Sequence, residues 1–166
     1  GTSTNMNMNE VLARLATVAG AKTVHPNDHV NCSQSSNDVI PSCILVTAMR
    51  ALNEQLLPAL GKLIEAVGER SLELSQLTKT GRTHLMDAMP LTFGQELSAW
   101  QVQLQECEQR FSDLQPRLRK LPIGGSAVGT GINVPANFAG QLVQHLQALC
   151  GLEFEVAANP FSRMAG

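Results

Sequence analysis

Residues 92–121 read TFGQELSAWQVQLQECEQRFSDLQPRLRKL, and this stretch has the pattern of one long helix. Thr92 and Gln95 match the Ser/Thr-x-x-Glu/Gln signature of a capping box, in which two side chains satisfy each other's backbone N–H groups at a helix start. Apolar residues then recur at steps of three and four, the period of helices that pack side by side. These seam residues are Leu97, Trp100, Leu104, Cys107, Phe111, Leu114, Leu118 and Leu121. Pro116 lies inside the stretch and should kink or end the helix locally.

The face between the seam positions is polar but only partly charged, so we expect it to meet other helices. It carries Gln101, Gln103, Gln105, Glu106, Glu108 and Gln109.

The same spacing predicts helices elsewhere in the chain. Residues 38–78 repeat it, and Pro58 must bend or split that helix because proline removes an intrahelical hydrogen bond. Residues 135–150 form a shorter candidate, with Pro135 in its first turn and Gly151 as its stop. Residues 4–19 form another through the apolar side chains of Val11, Leu12, Leu15 and Val18. Long helices of this period, in a chain without Tyr and with one Trp, predict an all-α fold built as a bundle of long helices.

Composition excludes several functional classes. The 166 residues carry 12 Lys+Arg and 14 Asp+Glu with no long basic run, which argues against nucleic-acid binding. No apolar run approaches the roughly 18 residues that span a bilayer, so no membrane partner is predicted. The four cysteines (Cys32, Cys43, Cys107 and Cys150) are scattered without a Cys-x-x-Cys pair, so we expect buried small hydrophobic residues in a cytoplasmic protein.

Three polar segments separate the helices, at 22–38, 79–91 and 121–134, and loops on a rigid scaffold commonly carry functional groups. Ser33–Asp38 (SQSSND) runs into the second helix and suits either a helix N-cap or a carboxylate site at the helix start. The two interpretations are compatible. In the segment 79–91, His84 clusters with Gly, Arg and Thr, and an imidazole can pass protons near neutral pH.

Two further motifs have simpler interpretations. His25 and His29 have a metal-pair spacing, but that pairing needs a helix, and Pro26 with Asn27-Asp28 indicates a turn. The glycine-rich stretch 123–131 lacks the Gly-Lys-Ser/Thr of a nucleotide loop, so its glycines more simply allow tight turns and close backbone approach.

Six motifs in order resemble the fumarase/aspartase superfamily, and most closely class II fumarases. They are GTSTNMN (1–7), HPNDHVN (25–31), SQSSND (33–38), GRTHL (81–85), PLTFGQE (90–96) and GGSAVGTG (124–131). The resemblance implies an all-α tetramer of identical chains, no metal or other cofactor, and reversible hydration of the dicarboxylate fumarate to L-malate, a step of the tricarboxylic acid cycle.

The resemblance also implies roles for individual residues. His84 would be the catalytic proton-transfer group. Substrate would be bound by Thr2, Asn5, Ser35, Ser36, Asn37 and Thr83. A second carboxylate site would involve His25, Asn27 and Asp28. Residues 1–36 would be the end of an N-terminal domain with active-site loops, and residues 37–166 part of the central helical domain.

One expected motif is missing. The superfamily's mobile loop, Gly-Ser-Ser-x-Met-Pro-x-Lys-x-Asn, carries the serine base and is not in the sequence. We therefore expect an internal piece of a longer enzyme that is inactive by itself. Two alternatives remain open: an aspartate ammonia-lyase, and a non-catalytic helical module whose apolar seams serve assembly. His84 stands where aspartases tend to carry Gln, and Ser35-Ser36 where they tend to carry Thr, which favours a fumarase.

Overall fold

The computed structural model describes residues 1–20 and 22–164, and this part of the chain is mostly helical. The helices are α1 (Thr2–Ala19), α2 (Ser36–Ala51), α3 (Leu57–Glu73), α4 (Phe93–Leu118), α5 (Phe138–Cys150) and α6 (Phe161–Met164). Single turns of wider π-helix cover Pro26–Val30 and Leu52–Leu56. The strands are β1 (Thr78–Thr83), β2 (Met86–Thr92), β3 (Lys120–Leu121) and β4 (Glu155–Val156). The predicted all-α class is confirmed.

The capping box at the start of α4 is confirmed. The backbone N–H of Thr92 donates to Gln95 Oε1 at 2.9 Å, and the N–H of Gln95 donates to Thr92 Oγ1 at 3.1 Å. Pro116 falls in the last turn, and the helix ends at Leu118 rather than at Leu121. Leu121 instead lies in β3 and is fully buried.

The other helices follow their predicted limits closely. The predicted helix 38–78 changes its winding at Pro58 rather than breaking: a π-helical turn, Leu52–Leu56, leads directly into α3, whose second residue is Pro58. Pro135 lies just outside α5, in a turn where its carbonyl accepts from the N–H of Phe138 at 3.0 Å. Gly151 ends α5 with φ 67°, a left-handed conformation that glycine adopts without strain.

The described residues form two compact units. The first comprises the residues up to Arg50 and from Pro116 onward. Its core is a cluster of five buried apolar side chains, from Met49, Leu121, Ile123, Val143 and Phe154. Strands β3 and β4 pair in parallel beside this core, with Leu121 opposite Val156. Helices α2 and α5 thus share one core with the polypeptide that follows α4.

The second unit, Ala51–Gln115, contains α3, most of α4 and the β1–β2 hairpin. Helices α3 and α4 lie side by side: Ser71 Oγ donates to the carbonyl of Gly94 at 2.7 Å, and Gln101 Nε2 donates to the carbonyl of Ile64 at 3.4 Å. The polar face of α4 therefore meets another helix at Gln101, as predicted. Gln103, Gln105, Glu106 and Gln109 on the same helix are exposed.

The segment 79–91 was expected to be a loop, and this is wrong. β1 and β2 pair antiparallel across it, from Thr78 opposite Thr92 to Thr83 opposite Met86. The β-branched threonines favour extended backbone, and Pro90 is tolerated because a two-stranded hairpin has only edge strands.

The predicted burial of the cysteines is wrong: none of the four is fully buried, and all four are free thiols. The apolar side chains of Val11, Leu12, Leu15 and Val18 on α1 are 45–70% exposed, whereas Asn5 and Asn9 on the same helix are buried. None of the helices in the described part of the chain combines the length and apolar character that a membrane crossing needs.

Candidate active site

The start of α1 is tied to the following loop through side-chain amides. Asn5 and Asn9, one helical turn apart, both donate to Asn31 Oδ1, at 3.3 and 3.1 Å. Asn5 also donates to Ser36 Oγ at 3.2 Å, and its side chain is only 5% exposed. Asn31 in turn donates to the carbonyl of Gln34 at 3.2 Å. The buried Asn5 therefore holds Ser36 in place, whereas Thr2 at the first position of the helix is exposed.

Ser35 is the N-cap of α2, as the helix-start interpretation predicts. Its Oγ accepts from the N–H of Asn37 at 3.2 Å, and its carbonyl accepts from the N–H of Val39 at 3.0 Å. Asp38 completes a reciprocal capping box, because its Oδ1 accepts from the N–H of Ser35 at 3.0 Å. Ser36 and Asn37 therefore occupy the first turn, at the positive end of the helix dipole.

Asp38 also binds the glycine-rich loop of residues 122–134. Its Oδ2 accepts from the backbone N–H groups of Gly124 and Ser126, both at 3.0 Å, and the carboxylate is completely buried. Beside it, Asn37 Nδ2 donates to the carbonyl of Ala127 at 2.8 Å. The carboxylate of Asp38 and the side-chain amide of Asn37 therefore hold the glycine-rich loop against the start of α2.

The glycines of this loop allow the close approach that the sequence predicts. Gly124 has φ +87°, and a Cβ there would lie 2.8 Å from Cβ of Ala139 on α5. Gly129 has φ +99°, and a Cβ there would lie 2.6 Å from the ring of Phe161 on α6. Larger residues would force the loop away from both helices.

A cavity of about 650 Å³ opens at the start of α2, within the size range of small-molecule sites. It brings together three of the predicted substrate-binding residues, Thr2, Ser36 and Asn37. Its remaining polar side chains are Ser162 and Arg163, and an apolar wall comes from Ile40, Pro41, Ile44, Leu45 and Met164. Asn5 and Ser35 do not line the cavity but support residues that do. Every lining residue belongs to the first unit.

The predicted second carboxylate site is a single exposed π-helical turn. His25 Nδ1 accepts from the N–H groups of Asn27 and Asp28, at 3.3 and 3.2 Å. The His25 N–H donates to His29 Nδ1 at 2.8 Å. Asp28 Oδ2 lies 3.3 Å from His25 Nδ1. These side chains lie together, but none lines the cavity. No group of three or more possible metal-binding side chains occurs within residues 1–20 and 22–164.

Thr83 and His84 lie in the second unit, at the tip of the hairpin. Thr83 ends β1 and pairs with Met86, so His84 and Leu85 form a two-residue turn. Their φ angles are 49° and 63°, the signature of a type I′ turn, for which Asn-Gly is the favoured sequence. Both side chains are exposed, and Leu85 is 96% exposed. The His84 side chain is therefore exposed at the tip of the hairpin, and its backbone is in a strained conformation.

Sequence reasoning missed the contacts made by Asp38 and Asn9 and the place of Arg163 in the cavity lining. The Ser35-x-x-Asp38 spacing could have indicated the capping box, and the four-residue step from Asn5 to Asn9 the shared face of α1. The partners of Asp38 in the glycine-rich loop lie 86 and 88 residues away, and no local pattern indicates them. Arg163 stands alone in the sequence, without a motif.

Comparison with known proteins places these features in a family. The family model for lyases matches residues 1–165. A class II fumarate hydratase of Xylella fastidiosa (strain 9a5c) is 52% identical over 165 residues, which is 99% of this chain and 35% of that protein. A class II fumarate hydratase of Pseudomonas aeruginosa is 48% identical over 172 residues, covering 100% of this chain and 37% of that protein.

Structural comparison agrees. The crystal structure of recombinant class II fumarase from Schistosoma mansoni superposes with a TM-score of 0.89 at 36% identity, over 98% of this chain and 38% of that one. The chain thus spans little more than a third of the length of the relatives that it matches. With a family model that covers it almost from end to end, the chain belongs to the lyase family.

Proposed function

We propose that this chain contributes part of the active site of a class II fumarate hydratase, which adds water reversibly to fumarate to give L-malate. The observation that carries the proposal is the cavity at the start of α2, where Thr2, Ser36 and Asn37 converge. The 52% identity to a class II fumarate hydratase supports the same substrate.

The geometry suits a carboxylate. Ser36 and Asn37 sit in the first turn of α2, where backbone N–H groups and the helix dipole favour negative charge. Thr2 adds a hydroxyl, and Asn5 acts by holding Ser36. Removing the proton beside a carboxylate during dehydration of malate builds negative charge on that carboxylate. Fixed donors at that point lower the barrier, because they need no rearrangement when the charge develops.

His84 is proposed as the group that exchanges a proton with the water, and Thr83 as a substrate-binding hydroxyl. In hydration, the water oxygen bonds to one alkene carbon, one water proton passes to a base, and the other alkene carbon gains a proton. The exposed position of His84 at the hairpin tip supports this role, since an exposed imidazole is free to exchange protons. His25, Asn27 and Asp28 are proposed to form a separate carboxylate site on the exposed turn.

The proposed enzyme is a homotetramer in the cytoplasm. It acts in the tricarboxylic acid cycle and uses no metal or other cofactor. The exposed apolar side chains of α3 and α4 support an assembly of identical chains, and the four free thiols fit a reducing compartment. We also propose that residues 1–36 end one domain and that residues from 37 onward belong to the central helical domain. The last two residues of that predicted range lie outside the described residues.

The test is a chimera that supplies the rest of the enzyme. The matching segment of the Xylella fastidiosa relative is replaced by this chain, and two reactions are measured: malate formation from fumarate and ammonia release from aspartate. We expect hydration of fumarate, and a loss of about 100-fold or more in kcat with His84→Asn, since general acid–base groups contribute about 10²–10⁴-fold.

The matched control is His145→Asn, an exposed histidine on α5. It should leave kcat unchanged. Ammonia release without hydration would replace the proposal with an aspartate ammonia-lyase. A chimera that folds, assembles and catalyses neither reaction would favour a non-catalytic helical module.

A further inference from the structure

Arg163 is a charged residue in the cavity at the start of α2 with no assigned role. It lies on α6, is half-buried, and is the only charged side chain among the described residues that line the cavity. Its guanidinium forms no hydrogen bond or ion pair within residues 1–20 and 22–164. Arg119 of the same unit, by contrast, pairs with Glu153 at 2.7 Å. Arg163 therefore brings a guanidinium without a partner among the described residues to a cavity whose other side chains are neutral; the N-terminal residue Gly1 also lines it.

The same loop that fixes Asn37 also supports Arg163. Residues of the glycine-rich loop touch α6 on both sides of the arginine: a Cβ at Gly129 would lie 2.6 Å from the ring of Phe161, and one at Gly125 would lie 2.8 Å from Sδ of Met164. The loop is held in turn by Asn37 through the carbonyl of Ala127. The turn of α6 that carries Arg163 and the amide of Asn37 are therefore both anchored to the same loop.

Neutral and cationic donors select for different properties of a ligand. Hydroxyl and amide donors, such as those of Thr2, Ser36 and Asn37, can hold one carboxylate. A guanidinium binds a carboxylate through two parallel N–H···O bonds and adds an attraction for a second negative charge. We infer that Arg163 binds the second carboxylate of the ligand and makes the cavity selective for dicarboxylates over monocarboxylates of the same shape. The inference rests on the proposed function, because it takes the ligand to be fumarate or malate.

The test compares fumarate with crotonate, which has the same trans double bond and carbon chain but a methyl group in place of one carboxylate. Binding of each acid to the 166-residue chain is measured by isothermal titration calorimetry or NMR. We expect the chain to prefer fumarate. Arg163→Ala should weaken fumarate binding about tenfold and leave crotonate binding unchanged, since only fumarate has a second carboxylate to lose its charge-assisted hydrogen bonds.

Two variants separate charge from structure. Arg163→Lys keeps the charge without the planar fork, so it should retain part of the preference for fumarate. Arg14→Ala removes an exposed arginine from α1 in the same unit and should change neither affinity. Circular dichroism of each variant reports whether it is folded, and the ratio of the two affinities would not respond to a purely structural role.

The outcomes distinguish the two proposals. Equal weakening of fumarate and crotonate, or unchanged fumarate binding, in Arg163→Ala overturns the role of Arg163 and leaves the proposed function standing. A chain that prefers succinate to fumarate, and whose Arg163→Ala variant binds succinate more weakly but butyrate equally well, supports the role of Arg163 and counts against fumarate as the substrate. A folded chain that binds none of these acids overturns the role of Arg163, and the chimera assay then decides the proposed function separately.

Discussion

At the scale of single residues, the carboxylate of Asp38 joins three backbone N–H groups that are far apart in sequence. One belongs to Ser35, directly before α2, and the others to Gly124 and Ser126 of the glycine-rich loop. No other side chain links the cap of α2 to that loop by a buried charge within the described residues. The geometry of Ser36 and Asn37, which lie between Ser35 and Asp38, depends on this carboxylate.

We predict that Asp38→Asn lowers the free energy of unfolding by about 2–4 kcal/mol, because an amide cannot accept all three bonds and would turn a donor toward a donor. Urea denaturation followed by circular dichroism measures the change. Asp28→Asn is the control: its carboxylate is exposed, and the change should stay within about 0.5 kcal/mol. Equal midpoints for the Asp38 variant and the unchanged chain would show that the loop is held by other contacts.

At the scale of elements, the hairpin tip places two ordinary residues where glycine or asparagine is preferred. His84 and Leu85 both have positive φ, and Leu85 has almost no packing to lose because it is 96% exposed. We therefore predict that Leu85→Gly raises the free energy of unfolding of the chain by about 0.5–1 kcal/mol, since a left-handed conformation costs a residue with a Cβ about 1–2 kcal/mol.

Ala88→Gly is the matched control, since Ala88 is exposed in β2 with ordinary backbone angles. Ala88→Gly gives the unfolded chain the same extra backbone freedom but relieves no strain in the folded chain. It should therefore lower the free energy of unfolding by about 0.5–1 kcal/mol. If both glycine variants destabilise equally in thermal unfolding, the turn is not strained. A strained turn that carries His84 is consistent with selection for the position of its side chain rather than for stability.

The helical elements show how far sequence reasoning reaches. The capping box of Thr92 and Gln95, the change of winding at Pro58 and the stop at Gly151 were predictable because each depends on chemistry within a few residues. The hairpin was not, since alternating threonines give a weak strand signal inside a polar segment. The buried face of α1 could not be predicted either, because nothing local shows that Asn5 and Asn9 meet Asn31.

The candidate site was likewise predictable only where it depends on neighbouring residues in the sequence. The N-cap at Ser35 follows from local sequence, whereas the cavity also requires α6, more than 120 residues away along the chain. The motifs of the resemblance identified Thr2, Ser36 and Asn37, and only the folded chain brings them beside Arg163.

At the scale of the whole molecule, large apolar side chains remain in contact with solvent. Trp100, on the predicted seam of α4, is 53% exposed, and Leu72 on α3 is 77% exposed. The apolar residues of α1 add Leu15 and Val18, at 60% and 70%. Scattered apolar residues are normal on protein surfaces, but rows of them along helices mark surfaces of association.

We therefore predict that the chain self-associates, so that sedimentation equilibrium gives an average mass above the 17.8 kDa of the monomer, and that this mass increases with concentration. Trp100→Gln should move the equilibrium toward the monomer, because it removes the largest apolar side chain from the seam. Leu149→Gln changes a residue that is 84% exposed on α5 and lies outside the predicted seams, so it should leave the mass unchanged. A monomer at every concentration would mean that the exposed seam of α4 is not an interface between copies of this chain. An equal effect of both substitutions would place the association elsewhere than on α4.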